Sequence, residues 1–552
     1  FFFFLMIRRP PRSTLFPYTT LFRSLFLIYP LFSLFISGFK DPITNEWSLT
    51  NFVRFFSRKY YYQGLLNSFK VTSCVTVLAI VIGVPMAYFM SAYKVKLKGL
   101  VEVLIIISML SPPFIGAYSW VLLCGRSGVV TEFFRDILGI NLPTIYGFTG
   151  ILLVFTLKLY PFIYLYVSGA LKKIDVSLSE AAESLGCTTI KKVCTIIMPL
   201  ILPTLMSGGL LVFMNAMADF GTPMLIGEGY NVMPVLIYSE FVGEMGGNAN
   251  FAAAMATVLV FITILLFLGQ KYIVNKKSFV MSSLRPMQAK ELKGVKGVLM
   301  HIFIYLVVFL SIIPQITVVY TYFLKTKGSM FVPEFSLESY EKVFSRMGNA
   351  IFNTYLYGII AIVIIIFLGM FIAYISTRKR NVLTGIIDTM TMFPYIIPGS
   401  VIGITLLLAF NSKPLLLSGT AAIIVISFVI RRLPYTLRSA AAILYQISPS
   451  LEEASISLGC SPVKTFFKVT SIMMLPGVLS GAILSWITVI NELSSSVILY
   501  TGFTRTMSVS IYTEVIRASY GTAAALSTIL TLTTVVSLLI FFKVTGGKNV
   551  NI

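Results

Sequence analysis

Glu180–Cys187 reads EAAESLGC, and Glu453–Cys460 reads EASISLGC, at an offset of 273 residues. The same offset carries Asp219 onto Glu492, another acidic residue. A fixed offset that holds over tens of residues is the signature of an internal duplication. The two stretches therefore predict a chain made of two homologous halves.

The duplication extends upstream of these stretches at a slightly different offset. Asn67 pairs with Asn353 at 286, and the difference is absorbed by a longer loop in the first half, residues 125–147. We predict a first half over residues 25–297 and a second half over residues 298–552. If each half has an even number of membrane spans, the halves share one orientation and are related by a pseudo-twofold axis along the membrane normal.

Composition places the chain in a membrane. Of its 552 residues 57% are hydrophobic and only 12% are charged, so it lacks the polar side chains that cover a soluble core of this size. These values exclude a cytosolic enzyme, a disordered chain and a nucleic-acid-binding protein, despite a net charge of +22. The single histidine, His301, argues against a resident metal site, and five cysteines, an odd number, argue against a disulfide framework.

Apolar stretches of about 20 residues, the length that crosses a bilayer, recur along the chain. They predict an all-α polytopic membrane protein with about twelve transmembrane helices, because a barrel would show alternating strands of about ten residues instead. The predicted spans are 21–39, 65–92, 100–124, 148–170, 197–220, 251–272, 298–324, 351–376, 385–410, 415–437, 472–494 and 521–543.

Loop charge predicts the orientation of these spans. With the N-terminus inside, the inner loops carry about twice as many Lys and Arg residues as the outer loops, while the acidic residues show the opposite bias. This distribution follows the positive-inside rule and predicts a multi-pass protein of the bacterial plasma (inner) membrane with both termini in the cytoplasm. Residues 1–24, FFFFLMIRRPPRSTLFPYTTLFRS, resemble translated sequencing adapter and are interpreted as a non-native leader.

The repeated stretch lies between the predicted fourth and fifth helices of each half. Glu180, Ala181 and Ala182 favour a short helix with a small-residue face, and Gly186 suits the position that ends it. A single copy of such a segment would most simply be a linker between spans. Two copies at matching positions on the same membrane face favour a surface that another protein approaches closely.

These paired segments resemble the EAA loops of binding-protein-dependent ABC importer permeases. Carried over by position, Glu453, Ala454 and Gly459 match in the second half, where Ser455 replaces the second alanine. The fused two-half layout is most similar to that of ferric-iron permeases, and thiamine permeases share it.

The resemblance implies how the chain is powered. In that family the EAA loop is a coupling helix that docks in a groove of an ATPase subunit, here expected to be a homodimer on the cytoplasmic side. An extracytoplasmic binding protein would deliver the substrate. The sequence contains no GxxxxGK[ST] phosphate loop, so the resemblance implies that ATP and Mg are bound by the partner and that this chain carries no cofactor or metal and is not itself an enzyme.

Charged residues inside the predicted spans are costly and are therefore candidates for function. Lys158 maps onto Arg431, and Asp219 maps onto Glu492. One hypothesis is that each half places a cation and an acid toward the interface between the halves, where they either pair or line the substrate pathway. The alternative is that the acidic residues reach outer water and Lys158 extends to the interface.

Two other classes of protein remain as alternatives. An ion-coupled secondary transporter would use carboxylates at the bilayer midplane and would not need two glycine-broken loops. A membrane-embedded enzyme would need a catalytic constellation within the spans. Ferric iron is the predicted substrate, with thiamine, phosphonate, sulfate and polyamine as alternatives.

Overall fold

The computed structural model describes residues 24–42, 44–110, 113–172, 174–243, 247–276, 289–327, 330–378 and 390–544. Within these ranges the chain is built from helices, with a single two-stranded antiparallel hairpin between residues 324 and 335. The predicted all-α class is confirmed, and the hairpin is a small addition to it. Of the predicted leader, residues 1–24, only residue 24 lies within the described ranges.

The described residues up to residue 322 form fourteen α-helices. One π-helical turn, Ser24–Ile28, precedes α1, and another, Val193–Ile197, joins α9 to α10. In chain order they are α1 (Tyr29–Gly38), α2 (Thr50–Ser57), α3 (Lys59–Ala92), α4 (Lys98–Leu110), α5 (Pro113–Cys124), α6 (Val129–Leu138), α7 (Phe148–Leu171), α8 (Val176–Ser184), α9 (Thr189–Lys192), α10 (Met198–Ala218), α11 (Gly221–Ile226), α12 (Met233–Val242), α13 (Ala249–Lys276) and α14 (Val295–Tyr322).

The rest of the chain begins with the hairpin and repeats much of this order. Its elements are β1 (Leu324–Lys327), β2 (Met330–Phe335), α15 (Glu338–Arg378), α16 (Phe393–Ile396), α17 (Gly399–Ala409), α18 (Ala421–Gln446), α19 (Ser450–Ser457), α20 (Pro462–Thr465), a π-helical turn (Phe466–Thr470), α21 (Ser471–Ile490), α22 (Ser496–Leu499), α23 (Met507–Ile516) and α24 (Tyr520–Val544).

Each of the twelve predicted spans corresponds to a helix or a pair of helices. Within the described ranges, eight helical segments are long and apolar enough to cross a bilayer individually. These are Lys59–Ala92, Phe148–Leu171, Val193–Ala218, Ala249–Ile273, Val295–Tyr322, Glu338–Arg378, Pro462–Ile490 and Tyr520–Phe541. The other four predicted spans correspond to α1, α4 with α5, α16 with α17, and α18.

Proline interrupts one predicted span within the described residues. The span 385–410 contains α16 and α17, with residues 385–389 outside the described ranges. Pro398 is the N-cap of α17 with an extended backbone, φ −54° and ψ 143°. Proline lacks the N–H that continues a helix, which explains the break at this position. In the span 100–124, α4 and α5 lie on either side of residues 111–112, which are outside the described ranges.

Three hydroxyl groups of α3 donate to the backbone of their own helix. The hydroxyls of Ser68, Thr72 and Thr76 donate to the carbonyls four residues earlier at 2.9, 2.8 and 2.7 Å. A hydroxyl that donates to its own helix backbone does not place an unpaired donor in hydrocarbon. This explains how these three polar side chains are accommodated in a membrane span.

The sequence repeat is matched by equivalent hydrogen bonds. Asn67 Nδ2 donates to the carbonyl of Asn231 at 3.0 Å, and Asn353 Nδ2 donates to the carbonyl of Arg505 at 3.1 Å. Asn353 and Arg505 are the positions onto which the offsets 286 and 274 carry Asn67 and Asn231. The same tertiary contact is thus built twice.

A second pair of contacts follows the same rule. The backbone N–H of Met233, at the start of α12, donates to Ser68 Oγ at 2.8 Å, and that of Met507, at the start of α23, donates to Thr354 Oγ1 at 2.7 Å. A hydroxyl is needed at both positions because the first N–H groups of a helix have no partner inside it. Both copies of the repeat therefore keep a hydroxyl group that accepts the first backbone N–H of the helix.

The described residues pack into two units, and the first contains residues 24–48, 348–509 and 536–544. In it α1, from the start of the chain, packs against α17 of the second half. The Phe26 and Phe410 rings lie 5.6 Å apart, and the Tyr29 hydroxyl donates to the carbonyl of Ala409 at 3.4 Å.

The second unit contains residues 49–347 and 510–535. Here α14, which opens the predicted second half, packs on α4, α5 and α7 of the first. Ser119 Oγ donates to the carbonyl of Pro314 at 2.9 Å, and the hydroxyls of Tyr160 and Ser311 lie 3.3 Å apart. The predicted boundary at 297/298 describes the sequence duplication and stays a prediction, because the packing units follow a different division.

Candidate functional site

The two EAA-like stretches fold into the same short helix and turn, which we call the first elbow (residues 175–187) and the second elbow (residues 448–460). The first contains α8 and the second contains α19. Gly186 and Gly459 follow these helices with left-handed φ angles of 79° and 89°. Glycine adopts this backbone without the steric penalty that a side chain meets. The sequence-based expectation that these glycines end their helices agrees with this geometry.

The hydrogen bonds at the two helix ends also match. In the first elbow Gly186 N–H donates to the carbonyl of Glu183, and Cys187 N–H donates to that of Ala182, both at 3.0 Å. This pattern is the Schellman motif, which satisfies carbonyls that the helix leaves unpaired. The second elbow has the same motif: Gly459 N–H donates to the carbonyl of Ile456 at 2.9 Å, and Cys460 N–H donates to that of Ser455 at 3.1 Å.

Each elbow presents apolar side chains to its surroundings at matched positions. Leu185 is 85% exposed and Leu458, its repeat counterpart, is 87% exposed. Leu178 and Leu451, near the start of the two elbow helices, are also equivalent across the repeat, and both are exposed. Large apolar side chains clustered at an exposed site are typical of protein interaction surfaces. Sequence reasoning missed these leucines, although their equivalence across the repeat was visible.

The predicted residues of the EAA segments divide between surface and interior. Glu180, Ala181, Glu453 and Ala454 are exposed, whereas Ala182 is buried. The exposed alanines leave room for another protein to approach the helix. The side chain of Ala182 instead faces the interior.

The first elbow contains an ion pair of its own. Lys192 Nζ lies 2.5 Å from Glu183 Oε1, and Lys290 Nζ lies 3.9 Å from Oε2 of the same carboxylate. The hydrogen bond from Lys192 and the positive charge of both lysines lower the pKa of Glu183 below its ordinary value. The Glu183 carboxylate therefore stays charged at neutral pH.

The structure brings together the predicted intramembrane charges of the first half. Lys158 Nζ lies 2.7 Å from Asp219 Oδ2, and Asp219 Oδ1 accepts the backbone N–H of Thr222 at 3.0 Å. Lys158 on α7 and Asp219 at the end of α10 are both shielded from solvent. Lys158 therefore pairs within the bundle rather than extending to the interface.

The second half also pairs its predicted residues, and it adds one that the sequence analysis did not select. Glu492, whose side chain is 1% exposed, contacts the guanidinium groups of both Arg431 and Arg432. Arg432 corresponds to Leu159 in the first half, so the repeat gave no signal for it. In the first half one cation contacts Asp219, whereas in the second half two cations contact Glu492.

Among the described residues no group of three or more His, Cys, Asp or Glu side chains is placed to hold a metal ion. The elbows and the two charge sites are therefore the features of the described chain on which a function can be argued.

The comparison with known families decides the class of protein. The family described as "Binding-protein-dependent transport system inner membrane component" matches residues 79–279 and 365–544, which together contain both elbows and all four charged residues predicted within the spans. The chain belongs to this family. It is thus a multi-pass inner-membrane permease of an ABC importer, and it is one component of a system that also includes an ATPase and a substrate-binding protein.

Curated relatives of this permease cover most of its length. It is 29% identical over 541 residues to the ferric transport system permease protein FbpB of Actinobacillus pleuropneumoniae, covering 95% of this chain and 77% of the relative. It is 27% identical over 491 residues to the Fe(3+)-transport system permease protein FbpB 2 of Haemophilus influenzae, covering 88% of this chain and 91% of the relative.

Other similarities extend over about half of the permease. The spermidine/putrescine transport system permease protein PotB of Haemophilus influenzae is 30% identical over 243 residues, covering 43% of this chain and 82% of the relative. A solved bacterial ABC transporter involved in the import of alginate is 19% identical, with a TM-score of 0.39, covering 47% of this chain and 92% of that one.

Proposed function

We propose that this permease carries ferric iron inward across the membrane, powered by a homodimeric ATPase that docks on the two elbows. The observation that carries the docking proposal is the duplicated helix and left-handed glycine with an exposed leucine beside it, Leu185 in one copy and Leu458 in the other. Two equivalent surfaces on one chain suit two copies of one partner subunit.

The roles of the elbow residues follow from this docking. Leu185 and Leu458 would insert into an apolar groove on each ATPase subunit, and the exposed alanines Ala181 and Ala454 would allow close approach of its backbone. Gly186 and Gly459 would set the direction in which each elbow leaves its helix. ATP and Mg would be held by the ATPase, since this sequence contains no GxxxxGK[ST] loop.

The proposed orientation places both elbows and both termini in the cytoplasm. It is supported by the excess of Lys and Arg in the loops that share the elbow side of the predicted spans. The extracytoplasmic binding protein would then deliver its substrate to the opposite face. Nucleotide-driven motion of the ATPase would rock the two halves between inward-open and outward-open states.

The two intramembrane charge sites are proposed to influence the substrate pathway. Lys158 with Asp219 and Arg431 with Glu492 occupy equivalent positions of the repeat. Ionised groups are kept in a low-dielectric interior only when they are paired, and in membrane proteins they commonly mark transport routes.

The substrate proposal rests on two relatives that are named as ferric-iron permeases. Their similarity extends over 95% and 88% of this chain. A polyamine is the second candidate, because a spermidine/putrescine permease is similar over about half of it. A permease passes what its binding protein delivers, so its own residues constrain the substrate only weakly.

Uptake into proteoliposomes tests the proposal. Vesicles would contain the permease with its ATPase, and the purified binding protein would be added outside with radiolabelled ferric iron or radiolabelled spermidine. We expect iron uptake that requires ATP inside the vesicles. Spermidine uptake would replace the iron assignment, and uptake that continues without ATP but follows an ion gradient would instead indicate a secondary transporter.

A further inference from the structure

The second elbow is held by a buried carboxylate that binds a membrane helix. Arg378, the last residue of α15, places Nε 3.0 Å from Glu452 Oε1 and donates from Nη2 to the carbonyl of Ile447 at 2.9 Å. The Tyr374 hydroxyl, one turn earlier on α15, donates to Glu452 Oε2 at 3.2 Å. Glu452 lies in α19 and is buried. Both oxygens of this elbow carboxylate are therefore bound by α15.

Aromatic packing reinforces this attachment. Phe466, in the π-helical turn that follows the second elbow, is buried with its ring centroid 4.9 Å from that of Tyr374 and 5.1 Å from that of Phe371. The segments on either side of Gly459 are thus fixed to the same last two turns of α15. We call Arg378, Tyr374 and Glu452 the clamp.

The first elbow cannot form the same attachment. Offset 286 places Ala92 at the position of Arg378, and offset 273 places Ser179 at the position of Glu452. Glu183 of the first elbow instead pairs with Lys192, which belongs to the same loop. Its other described cationic neighbour, Lys290, is exposed and lies outside the membrane helices. The backbone N–H of Lys290 donates to the carbonyl of Ala92, at the end of α3, at 2.9 Å. Among the described contacts, the Glu183 carboxylate therefore reaches the end of α3 only through an exposed lysine 3.9 Å away, and not through a direct bond to the helix.

An ion pair that is largely shielded from solvent and flanked by further hydrogen bonds favours one geometry, because separating its partners leaves a poorly compensated charge. We propose that Arg378 and Glu452 are positioning residues that fix the second elbow rigidly to α15, so that motion of the ATPase reaches the second half through this joint. The first elbow would transmit the same motion without it. This inference rests on the proposed docking of the ATPase on the elbows.

The experiment compares single and compensated variants in the complete complex of permease, ATPase and binding protein. Arg378→Met and Glu452→Gln each remove one side of the clamp, and the double variant Arg378→Glu with Glu452→Arg reverses the charges. Glu183→Gln is the matched control, because it removes the ion pair of the first elbow. Hydrogen–deuterium exchange of residues 176–186 and 450–458 is measured together with the amount of radiolabelled ferric iron taken up per ATP hydrolysed.

We expect amide exchange over 450–458 to accelerate by roughly tenfold in both single clamp variants, which corresponds to about 1.4 kcal/mol, with 176–186 unchanged. Glu183→Gln should accelerate exchange only over 176–186. Uptake per ATP should fall several-fold in the clamp variants and recover in the charge-reversed one. If a single variant fails to insert, Tyr374→Phe, which loses only the hydrogen bond to Oε2, should show a smaller change in the same direction.

Two failures are distinguishable. A wild-type complex whose ATP hydrolysis is not linked to uptake would remove the proposed function itself, while the exchange measurements would still report whether the clamp orders the second elbow. A coupled wild type with unchanged exchange and unchanged uptake per ATP in Arg378→Met, Glu452→Gln and Tyr374→Phe would overturn the clamp.

Discussion

Gly186 and Gly459 are separated by 273 residues, and each occupies the left-handed position of its own Schellman turn, with φ angles of 79° and 89°. At neither position would an added Cβ meet another atom within 4 Å. Steric crowding therefore does not require glycine there. The requirement is the left-handed backbone, which costs other residues about 1–2 kcal/mol.

This distinction gives a prediction for the elbows. Gly186→Val and Gly459→Val should straighten the turn and lower the yield of ATPase that copurifies with the permease, because β-branched residues avoid left-handed backbone. Gly186→Asn and Gly459→Asn should retain most of the complex, because asparagine tolerates this conformation. Equal loss in the Val and Asn variants would show that the backbone angle is not what docking requires.

The three-charge site of the second half predicts unequal effects of its members. Glu492→Gln removes the carboxylate that both guanidiniums contact and should destabilise the permease by about 3–5 kcal/mol. Arg432→Leu should cost much less, because it leaves the contact between Arg431 and Glu492 and introduces the leucine found at the equivalent position, Leu159. Thermal unfolding in detergent measures both, and a larger loss for Arg432→Leu would contradict this account.

The first-half pair predicts a change in transport. Lys158→Met leaves Asp219 with the N–H of Thr222 but without its cation, and Asp219→Asn leaves the lysine uncompensated. Both should reduce ATP-dependent uptake several-fold if the pair influences the pathway. The double variant Lys158→Met with Asp219→Asn controls for lost stability, since it removes both charges together. Unaltered uptake in both single variants would exclude the pair from transport.

Much of this architecture could be predicted because its signals are local. The length of each apolar run located all twelve helical regions, and the alanine and glycine positions predicted the elbow helices and their ends. The pairing of Lys158 with Asp219 was also foreseen as one of two possibilities, because charges in hydrocarbon need partners.

The remainder depends on contacts between distant segments, which periodicity does not encode. The packing of α1 on α17, and of α14 on the first-half helices, is determined by side-chain fit. Arg432 and the clamp residues Arg378 and Glu452 were missed because the repeat offers Leu159, Ala92 and Ser179 at their positions. Searching for what the two halves share necessarily overlooks what only one of them has.

We propose that each elbow docks one ATPase subunit through its exposed leucine. Native mass spectrometry of the purified complex tests this docking. We expect two ATPase subunits for each permease chain, and loss of that complex in the double variant Leu185→Asp with Leu458→Asp. The double variant with Met at both positions should keep the complex, because it preserves the apolar contact. A complex that survives the double Asp variant, or a wild type that holds no ATPase, would contradict the claim.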